Sequence, residues 1–213
     1  MTSQHEYSVR ITIGELSLDG ILGLPSGPRG AVVFAHGSGS GRLSPRNNFV
    51  ARHLQQDGLA TLLLDLLTEA EADDRRNVFD IDLLADRLLL AKGWLEAEPR
   101  TNDLSIGYFG ASTGAGAALQ AAARDPSSIK AVVSRGGRPD LAEFYLPSVT
   151  APTLLIVGGH DEPVIEMNQA AYDLLTCEKK LVLVHGATHL FEEPGTLEQV
   201  AEQASRWFVR YLT

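Results

Sequence analysis

The chain has 213 residues, of which 44% are hydrophobic and 21% charged, and its formal net charge at pH 7 is −9. Residues 1–213 are enough for one domain with a complete hydrophobic core, and their composition is typical of a soluble globular protein. The acidic excess argues against nucleic acid as a partner, because a phosphate backbone repels a negatively charged surface.

The N-terminal segment and the cysteine content favour a cytoplasmic location. Residues 1–7 have neither the basic stretch nor the apolar core of a secretory signal. No apolar run reaches the length of a membrane span, so we expect no membrane partner. Cys177 is the single cysteine, which excludes an internal disulfide and suits a reducing compartment. The sequence leaves the oligomeric state open.

Hydrophobic patterning predicts about eight strands. Residues 8–18 and 21–24 alternate between apolar and polar side chains around Asp19-Gly20, which predicts an antiparallel hairpin. Six later runs are apolar throughout, as expected of parallel strands covered on both faces: residues 31–35, 61–64, 106–109, 131–134, 153–157 and 181–184. The predicted fold class is therefore α/β, with a mostly parallel sheet flanked by helices.

Helical patterns fill the intervals between these strands. A helix capped by Ser44 is predicted to run from Pro45 to Asp57. Further helices are predicted over residues 80–97, directly after Ser112, over residues 163–175, and after the capping-box pattern of Thr196 and Gln199. Residues 135–152 are too few for a large cap. We therefore expect one domain, no large lid domain, and an open site for small or water-soluble acyl groups.

The pentapeptide GASTG at residues 110–114 lies at a predicted strand-to-helix junction. A serine with glycine two residues away on either side is the nucleophile-elbow pattern, in which a tight turn needs small flanking residues. The turn holds the serine hydroxyl above the edge of the sheet. Ser112 is therefore the candidate nucleophile.

A serine nucleophile needs a base, and the base needs a third group that fixes its tautomer. Asp161 follows the predicted strand 153–157, and His189 follows the predicted strand 181–184. The carboxyl ends of parallel strands meet at one edge of an open sheet, which is where such sheets place their sites. Ser112, Asp161 and His189 are therefore the predicted catalytic triad. Glu162 and His185 are the weaker alternatives for the acid and the base.

Backbone amides are the usual donors to the oxyanion of an acyl-transfer intermediate. The N–H of Thr113, at the start of the predicted helix, is one candidate. The second is expected from the glycine-rich segment HGSGSG at residues 36–41, with Ser38 as the first choice and Gly37 as the second.

These motifs together resemble those of the α/β-hydrolase superfamily, and within it the small dienelactone-hydrolase-like enzymes. The residues that carry the resemblance are HGSGSG at 36–41, GASTG at 110–114, GGHDEPV at 158–164 and GATHLFEEP at 186–194. The likeness extends from about residue 21 to residue 212 and implies an α/β-hydrolase fold. Dienelactone hydrolase itself uses a cysteine nucleophile where this sequence has Ser112, which favours a general serine esterase over a hydrolase of that lactone.

Four arginines lie in loops at the predicted active-site edge: Arg42, Arg46, Arg135 and Arg138. A guanidinium group there could bind a substrate carboxylate through two hydrogen bonds. We take Gly37, Arg42 and Arg135 as candidate substrate-binding residues. Arg135 and Arg138 could instead pair with Asp140 or Glu143 and order their loop.

Other polar residues near this edge have structural interpretations. His36 is expected to brace the glycine-rich segment rather than act as a base. Asp65, with Glu69 and Glu71, follows the predicted strand 61–64 and could line the pocket, but a solvated acidic loop is the favoured interpretation. Cys177 has no histidine motif beside it and is assigned no chemistry.

The sequence thus predicts a serine hydrolase that cleaves small or soluble carboxylic esters through an acyl-serine intermediate. A lactonase, thioesterase or amidase would use the same triad, because all share a tetrahedral intermediate. A dinucleotide-binding fingerprint fails, because Arg42 stands where the third glycine belongs. A non-catalytic binding protein on this scaffold is the remaining alternative. The predicted mechanism requires no cofactor, and no metal-ligand spacing is present.

Overall fold

The structure is a computed structural model that describes residues 5–213. Residues 1–4 lie outside the described residues. They are part of the N-terminal segment for which the sequence predicts no secretory signal. The described strands are β1 (His5–Ile13), β2 (Leu16–Leu24), β3 (Gly30–Ala35), β4 (Leu59–Leu64), β5 (Ile106–Ala111), β6 (Ile129–Arg135), β7 (Thr153–Gly158) and β8 (Lys179–Val184).

Helices connect the strands from β3 onward. They are α1 (Pro45–Gln56), α2 (Glu69–Ala72), α3 (Arg75–Val78), α4 (Ile81–Ala97), α5 (Thr113–Arg124), α6 (Glu162–Leu174) and α7 (Thr196–Leu212), with a 3₁₀ segment over Pro139–Ser148. The short helices α2 and α3 were not expected from the sequence, because four-residue helices have no apolar period to detect. None of the helices described in residues 5–213 is long and apolar enough to cross a bilayer.

The strands form one eight-stranded sheet in the order β1-β2-β4-β3-β5-β6-β7-β8. β1 pairs antiparallel with β2, and β2 with β4, whereas every pair from β4 to β8 is parallel. The predicted fold class is therefore confirmed. The 3₁₀ segment is the largest insertion between β6 and β7, so the expectation of no large lid domain also holds.

The central strands are buried along their whole length, as the unbroken apolar runs predicted. Residues that alternate along these strands belong to two separate hydrophobic clusters. On one face the sheet packs against α4, α5 and α6, and on the other against α1 and α7. The sheet is thus shielded on both sides, and its loops at the carboxyl ends of the strands remain accessible.

The position of the predicted hairpin turn was wrong. The turn begins at Gly14, whose φ of +59° suits a left-handed conformation, and Asp19 and Gly20 lie within β2. Gly20 is needed for close packing instead: a Cβ there would lie 3.1 Å from Val9 Cγ2 and 3.2 Å from the Leu63 carbonyl oxygen. A glycine that permits two strands to approach has the same sequence signature as a glycine in a turn.

The predicted capping box of the last helix was also wrong. The residue before the helix is Gly195, which has a φ of +79°. The Thr196 hydroxyl donates to the Glu193 carbonyl at 2.7 Å, and the Gln199 amide donates to the Gly195 carbonyl at 3.1 Å. The helix therefore begins at Thr196 itself. A capping box with Thr196 as the N-cap residue would have started the helix one residue later.

Candidate active site

Ser112 lies at the junction of β5 and α5 with a φ of +51° and a ψ of −123°. A positive φ is uncommon for a residue with a Cβ and persists only where the surroundings enforce it. The junction is therefore the strained strand-to-helix turn that the pentapeptide predicted. It presents the serine side chain at the carboxyl edge of the sheet.

The two flanking glycines enforce this turn. A Cβ on Gly110 would lie 2.4 Å from the Cα of Ala115, and a Cβ on Gly114 would lie 2.3 Å from the Ala35 carbonyl oxygen. Both contacts are with backbone atoms, which cannot rotate away. The glycines thus let α5 start directly against β5 and β3, which fixes the position of Ser112.

Asp161 and His189 come together from separate loops. Asp161 precedes α6, His189 follows β8, and His189 Nδ1 lies 2.7 Å from Asp161 Oδ2. With the Nδ1 proton donated to the carboxylate, Nε2 is left as the proton acceptor, which is the tautomer that a general base needs. The alternative residues Glu162 and His185 are both exposed, and the carboxylate that pairs with the imidazole is that of Asp161.

Ser112 and His189 line the same cavity, which has a volume of about 220 Å³. We call it the small cavity; its other lining residues include Gly37, Ser38, Arg46 and Arg135. The structure therefore brings the three predicted triad residues to one end of the sheet.

The glycine-rich loop, residues 36–41, passes directly over Ser112. A Cβ on Gly37 would lie 3.0 Å from the Cβ of Ser112, so glycine permits this close approach. The Ser38 N–H, which the sequence favoured as an oxyanion donor, already donates to the Thr113 hydroxyl at 3.0 Å. The Thr113 N–H lies in the first turn of α5, where backbone amides have no partner within the helix.

Residues at the end of β4 hold both ends of this loop. The Leu66 N–H donates to His36 Nε2 at 3.0 Å, and His36 Nδ1 lies 2.9 Å from the Gly37 carbonyl oxygen. The Arg42 N–H donates to Asp65 Oδ1 at 2.7 Å. His36 thus braces the loop as expected. Asp65 is a structural anchor, so the interpretation of its segment as a merely solvated acidic loop was wrong at that residue.

Burial and charge set the protonation of His36. Burial lowers its pKa below the usual value of 6.5, outweighing the Gly37 carbonyl and Asp65, which raise it. The acceptor role of Nε2 requires the neutral imidazole in any case. Protonation of His36 would place a proton on Nε2. The Leu66 N–H would then face a second donor, and the hydrogen bond between them would be lost.

The arginines have separate roles. Arg138 forms two hydrogen bonds with Asp140, at 2.8 and 2.7 Å, as one interpretation of the sequence anticipated. Arg42 pairs with Asp65 and lies 3.7 Å from Asp19, so its guanidinium already has carboxylate partners. This weakens Arg42 as a substrate-binding residue.

Arg135 is buried beside Ser112 without a carboxylate partner. It is 8% exposed, and its Nε and Nη1 have no hydrogen-bond partner among residues 5–213. Burial, and then the charge of Arg46, lower its pKa to about 10, so it remains charged at neutral pH. Its guanidinium carbon lies 5.9 Å from the centre of the Phe191 ring. The structure therefore does not show the pairing of Arg135 with Asp140 or Glu143 that one interpretation of the sequence proposed.

Arg46 adds a second positive charge to the small cavity. Its Nη1 donates to the exposed Glu192 at 3.1 Å, whereas its Nε is buried and has no partner within the described chain. Two neighbouring guanidinium groups repel each other, so together they favour an anion between them. The sequence showed these residues only as loop arginines, because their burial arises from contacts between distant segments.

A larger cavity of about 700 Å³ is also lined by residues of the glycine-rich loop. Gly37, Ser38 and Ser40 line both cavities, whereas Thr113 lines the large one and Ser112 the small one. Asp65 and Glu69 line the large cavity, as the alternative interpretation of this segment proposed, and Glu69 is also exposed to solvent. Its walls also include residues of α2 and α3.

Other titratable groups show no comparable arrangement. Burial raises the pKa of the Cys177 thiol, which lies 3.7 Å from the Thr153 hydroxyl, so this cysteine is a poor nucleophile. Within residues 5–213, no group of three or more His, Cys, Asp or Glu side chains is placed to hold a metal ion.

Comparison with known proteins places the chain in a family. The model of the dienelactone hydrolase family matches residues 18–212. The crystal structure of a dienelactone hydrolase from Anabaena variabilis has 58% sequence identity and a TM-score of 0.95, with 99% of both chains covered. Est1E from Butyrivibrio proteoclasticus has 19% identity and a TM-score of 0.82 over 95% of this chain and 98% of its own, which shows a shared fold.

Curated relatives from two strains of Mycobacterium tuberculosis are 58% identical over 207 residues. They are provisionally named phosphoribosyl transferases. The match covers 97% of this chain and 47% of theirs, so the chain spans about half the length of these relatives.

The His36 brace predicts a pH-dependent stability. Because the folded pKa of His36 is below 6.5, the unfolded chain binds its proton first, and stability falls as pH drops below 6.5. The slope from this group can reach about 1.4 kcal/mol per pH unit. Urea unfolding at pH 7.5, 6.5 and 5.5 measures it.

The matched variant is His36→Gln, which is expected to be less stable at pH 7.5 and to lose part of the pH dependence between pH 6.5 and 5.5. The control His53→Gln removes a more exposed histidine and should keep the wild-type slope. Equal slopes for the wild type and His36→Gln would contradict a buried neutral imidazole.

Proposed function

The chain belongs to the dienelactone hydrolase family, and we propose that it is a serine hydrolase that cleaves carboxylic esters through an acyl-serine intermediate. The observation that carries this proposal is the 2.7 Å contact of His189 with Asp161 at a cavity that His189 shares with Ser112. The strained turn at Ser112 supports it, because strain is retained where function requires it.

In the first half of the reaction, Ser112 Oγ attacks the ester carbonyl carbon and His189 Nε2 accepts the hydroxyl proton. Asp161 stabilises the imidazolium that forms. The tetrahedral intermediate then collapses, the bond to the leaving oxygen breaks, and His189 returns the proton to that oxygen. The products are the free alcohol and an ester between Ser112 and the acyl group.

In the second half, water replaces the alcohol. His189 accepts a proton from the water, and the resulting hydroxide attacks the acyl-serine carbonyl. Collapse of the second tetrahedral intermediate releases the carboxylic acid, and His189 returns the proton to Ser112 Oγ. Each step uses protein groups and water, so the proposed reaction is a net hydrolysis.

The oxyanion donors in this proposal are the Thr113 N–H and an amide of the glycine-rich loop. The Ser38 N–H can serve by exchanging its Thr113 hydroxyl acceptor for the oxyanion, which is the stronger acceptor because it is charged. The Gly37 N–H is the alternative. In either case the loop must stay in place, which assigns Asp65 the role of a positioning residue.

We also propose that the leaving part of the substrate carries a carboxylate. Leaving Arg135 charged and unpaired in the protein interior is unfavourable by several kcal/mol, and a carboxylate in the small cavity would supply a partner. Because His189 must reach the leaving oxygen and lines that same cavity, the anion belongs to the leaving part. Arg46 would share this charge.

The same triad supports hydrolysis of a lactone, a thioester or an amide. A substrate panel with matched acyl groups separates these, since only the leaving atom differs. The provisional name of the longer relatives does not favour a transferase here, because the chain corresponds to only 47% of their length. We propose a cytoplasmic enzyme that acts on small molecules.

The nucleophile is tested by covalent labelling. A fluorophosphonate probe should label the wild type with one group per chain, and Ser112→Ala should abolish labelling and ester hydrolysis. Ser127→Ala, which removes an exposed hydroxyl far from the site, is the control. A folded wild type that resists the probe would favour a non-catalytic binding protein, and labelling of Ser112→Ala would identify another nucleophile.

The positioning role of Asp65 is tested by Asp65→Asn. The hydrogen bond from the Arg42 N–H to the charged Asp65 carboxylate is worth about 1.5–3 kcal/mol, and the substitution removes that charge. The loop should become looser, so kcat on an acetyl ester should fall roughly tenfold while KM changes little. The exposed Asp103→Asn is the matched control. A rise in KM with kcat preserved would show instead that Asp65 contacts the substrate.

The anion site is tested by Arg135→Met. We expect kcat/KM for 3-carboxyphenyl butyrate to fall roughly ten- to hundredfold, because a charge-assisted pair is lost, and to change little for the neutral 3-carbamoylphenyl butyrate. The melting temperature should stay level or rise, because an unpaired buried charge is removed. Arg206→Met, on the exposed face of α7, is the control. Equal losses on both esters would contradict the proposal.

A further inference from the structure

The large cavity has no role in the reaction described so far, yet it adjoins the reacting atoms. It shares Gly37 and Ser38 with the small cavity, and it includes Thr113, whose N–H is a proposed oxyanion donor. Ser112 and His189 line the small cavity only, as far as residues 5–213 show. The two cavities thus meet at the loop that would hold the oxyanion, and they differ in which residue of the strand-to-helix turn lines them.

The geometry of the tetrahedral intermediate distributes the parts of an ester between these cavities. The central carbon bears four groups: Ser112 Oγ, the oxyanion, the leaving oxygen and the acyl chain. The oxyanion must face the amides, and the leaving oxygen must face His189, which donates its proton. The acyl chain must then extend away from His189, past Thr113.

We propose that the large cavity is the acyl pocket of the enzyme and that it takes neutral, apolar acyl chains of medium length. The proposal rests on the proposed function, since it concerns the same ester bond. It adds a substrate class: esters with an extended hydrocarbon acyl chain rather than the small or water-soluble acyl groups that the open sequence pattern suggested.

The lining of the large cavity fits a hydrocarbon chain. Leu18, Leu67 and Leu84 are buried residues on its wall, and Val78 of α3 is half-buried there. The volume of about 700 Å³ lies in the range of small-molecule sites. Each methylene transferred from water to such a wall contributes about 0.8 kcal/mol, which corresponds to roughly a three- to fourfold gain in kcat/KM.

The charges at the rim disfavour an acidic acyl chain. Asp19, Asp65 and Glu69 line the large cavity together with one cation, Arg42, whose guanidinium pairs with the two aspartates. The rim is therefore negative, whereas the small cavity carries Arg46 and Arg135. This opposite polarity would orient a substrate with its hydrocarbon end in the large cavity and its anionic end in the small one.

The experiment compares two ester series in the intact protein. The first varies the acyl chain of 4-nitrophenyl esters from acetyl to octanoyl, and the second varies the alcohol of butyrate esters from methanol to hexanol. In the wild type, kcat/KM should rise at least tenfold from acetyl to hexanoyl and then level off as the cavity fills.

Two variants test the cavities separately, and each introduces one indole ring into one cavity. Ala72→Trp introduces bulk at an exposed alanine of α2 on the wall of the large cavity. It should lower the hexanoyl-to-acetyl ratio at least fivefold and leave the alcohol-series ratios unchanged. Leu190→Trp, at the exposed side of the small cavity, should alter the alcohol series and leave the acyl ratio unchanged.

Ala170→Trp, on the exposed face of α6, is the matched control and should keep both wild-type ratios. The proposal is overturned by a wild type with no acyl-length preference, by an unchanged acyl ratio in Ala72→Trp, or by an acyl ratio that responds to Leu190→Trp instead. In these cases Ser112-dependent hydrolysis of the acetyl ester would persist and the proposed function would stand. Failure of both ester turnover and fluorophosphonate labelling would overturn both.

Discussion

The close approach of three backbone segments at Ser112 is the constraint on which the rest of the site depends. The start of α5 lies against β5 at Gly110 and against the end of β3 at Gly114, at distances that leave no room for a Cβ. This packing holds Ser112 at a positive φ and places the first amides of α5 beside the glycine-rich loop. Ser112, the first amides of α5 and the glycine-rich loop are therefore positioned by one set of steric contacts.

Asp161 and His189 reach this point by a different route, since each lies in a loop whose position is set by the parallel strand before it. β7 is buried along its whole length and pairs in parallel with the more exposed edge strand β8, so both strands end at the same edge of the sheet, where the carboxylate and the imidazole meet. The two cavities that share this loop then differ in charge. Arginines concentrate in the small cavity of a chain whose formal net charge is −9, while carboxylates surround the large one.

The sequence predicted what depends on local pattern. Continuous apolar runs located the parallel strands, and the spacing around Ser112 located the strained turn. It could not predict what depends on contacts between distant segments. Examples are that Gly20 lets strands pack closely rather than forming a turn, that the Ser38 amide is already paired with Thr113, and that Arg135 is buried without a carboxylate. In each case one sequence signature is compatible with two environments, and only packing decides between them.

The attachment of the glycine-rich loop to the end of β4 has an evolutionary and practical consequence. Asp65 belongs both to the wall of the large cavity and to the anchor of the loop through the Arg42 amide. Selection for a differently shaped wall at this position would therefore also displace the loop amides that we propose as oxyanion donors. A change at Asp65 that widens the range of substrates would therefore also affect the rate of turnover. Directed evolution should vary the α2–α3 wall instead and leave residues 65 and 66 unchanged.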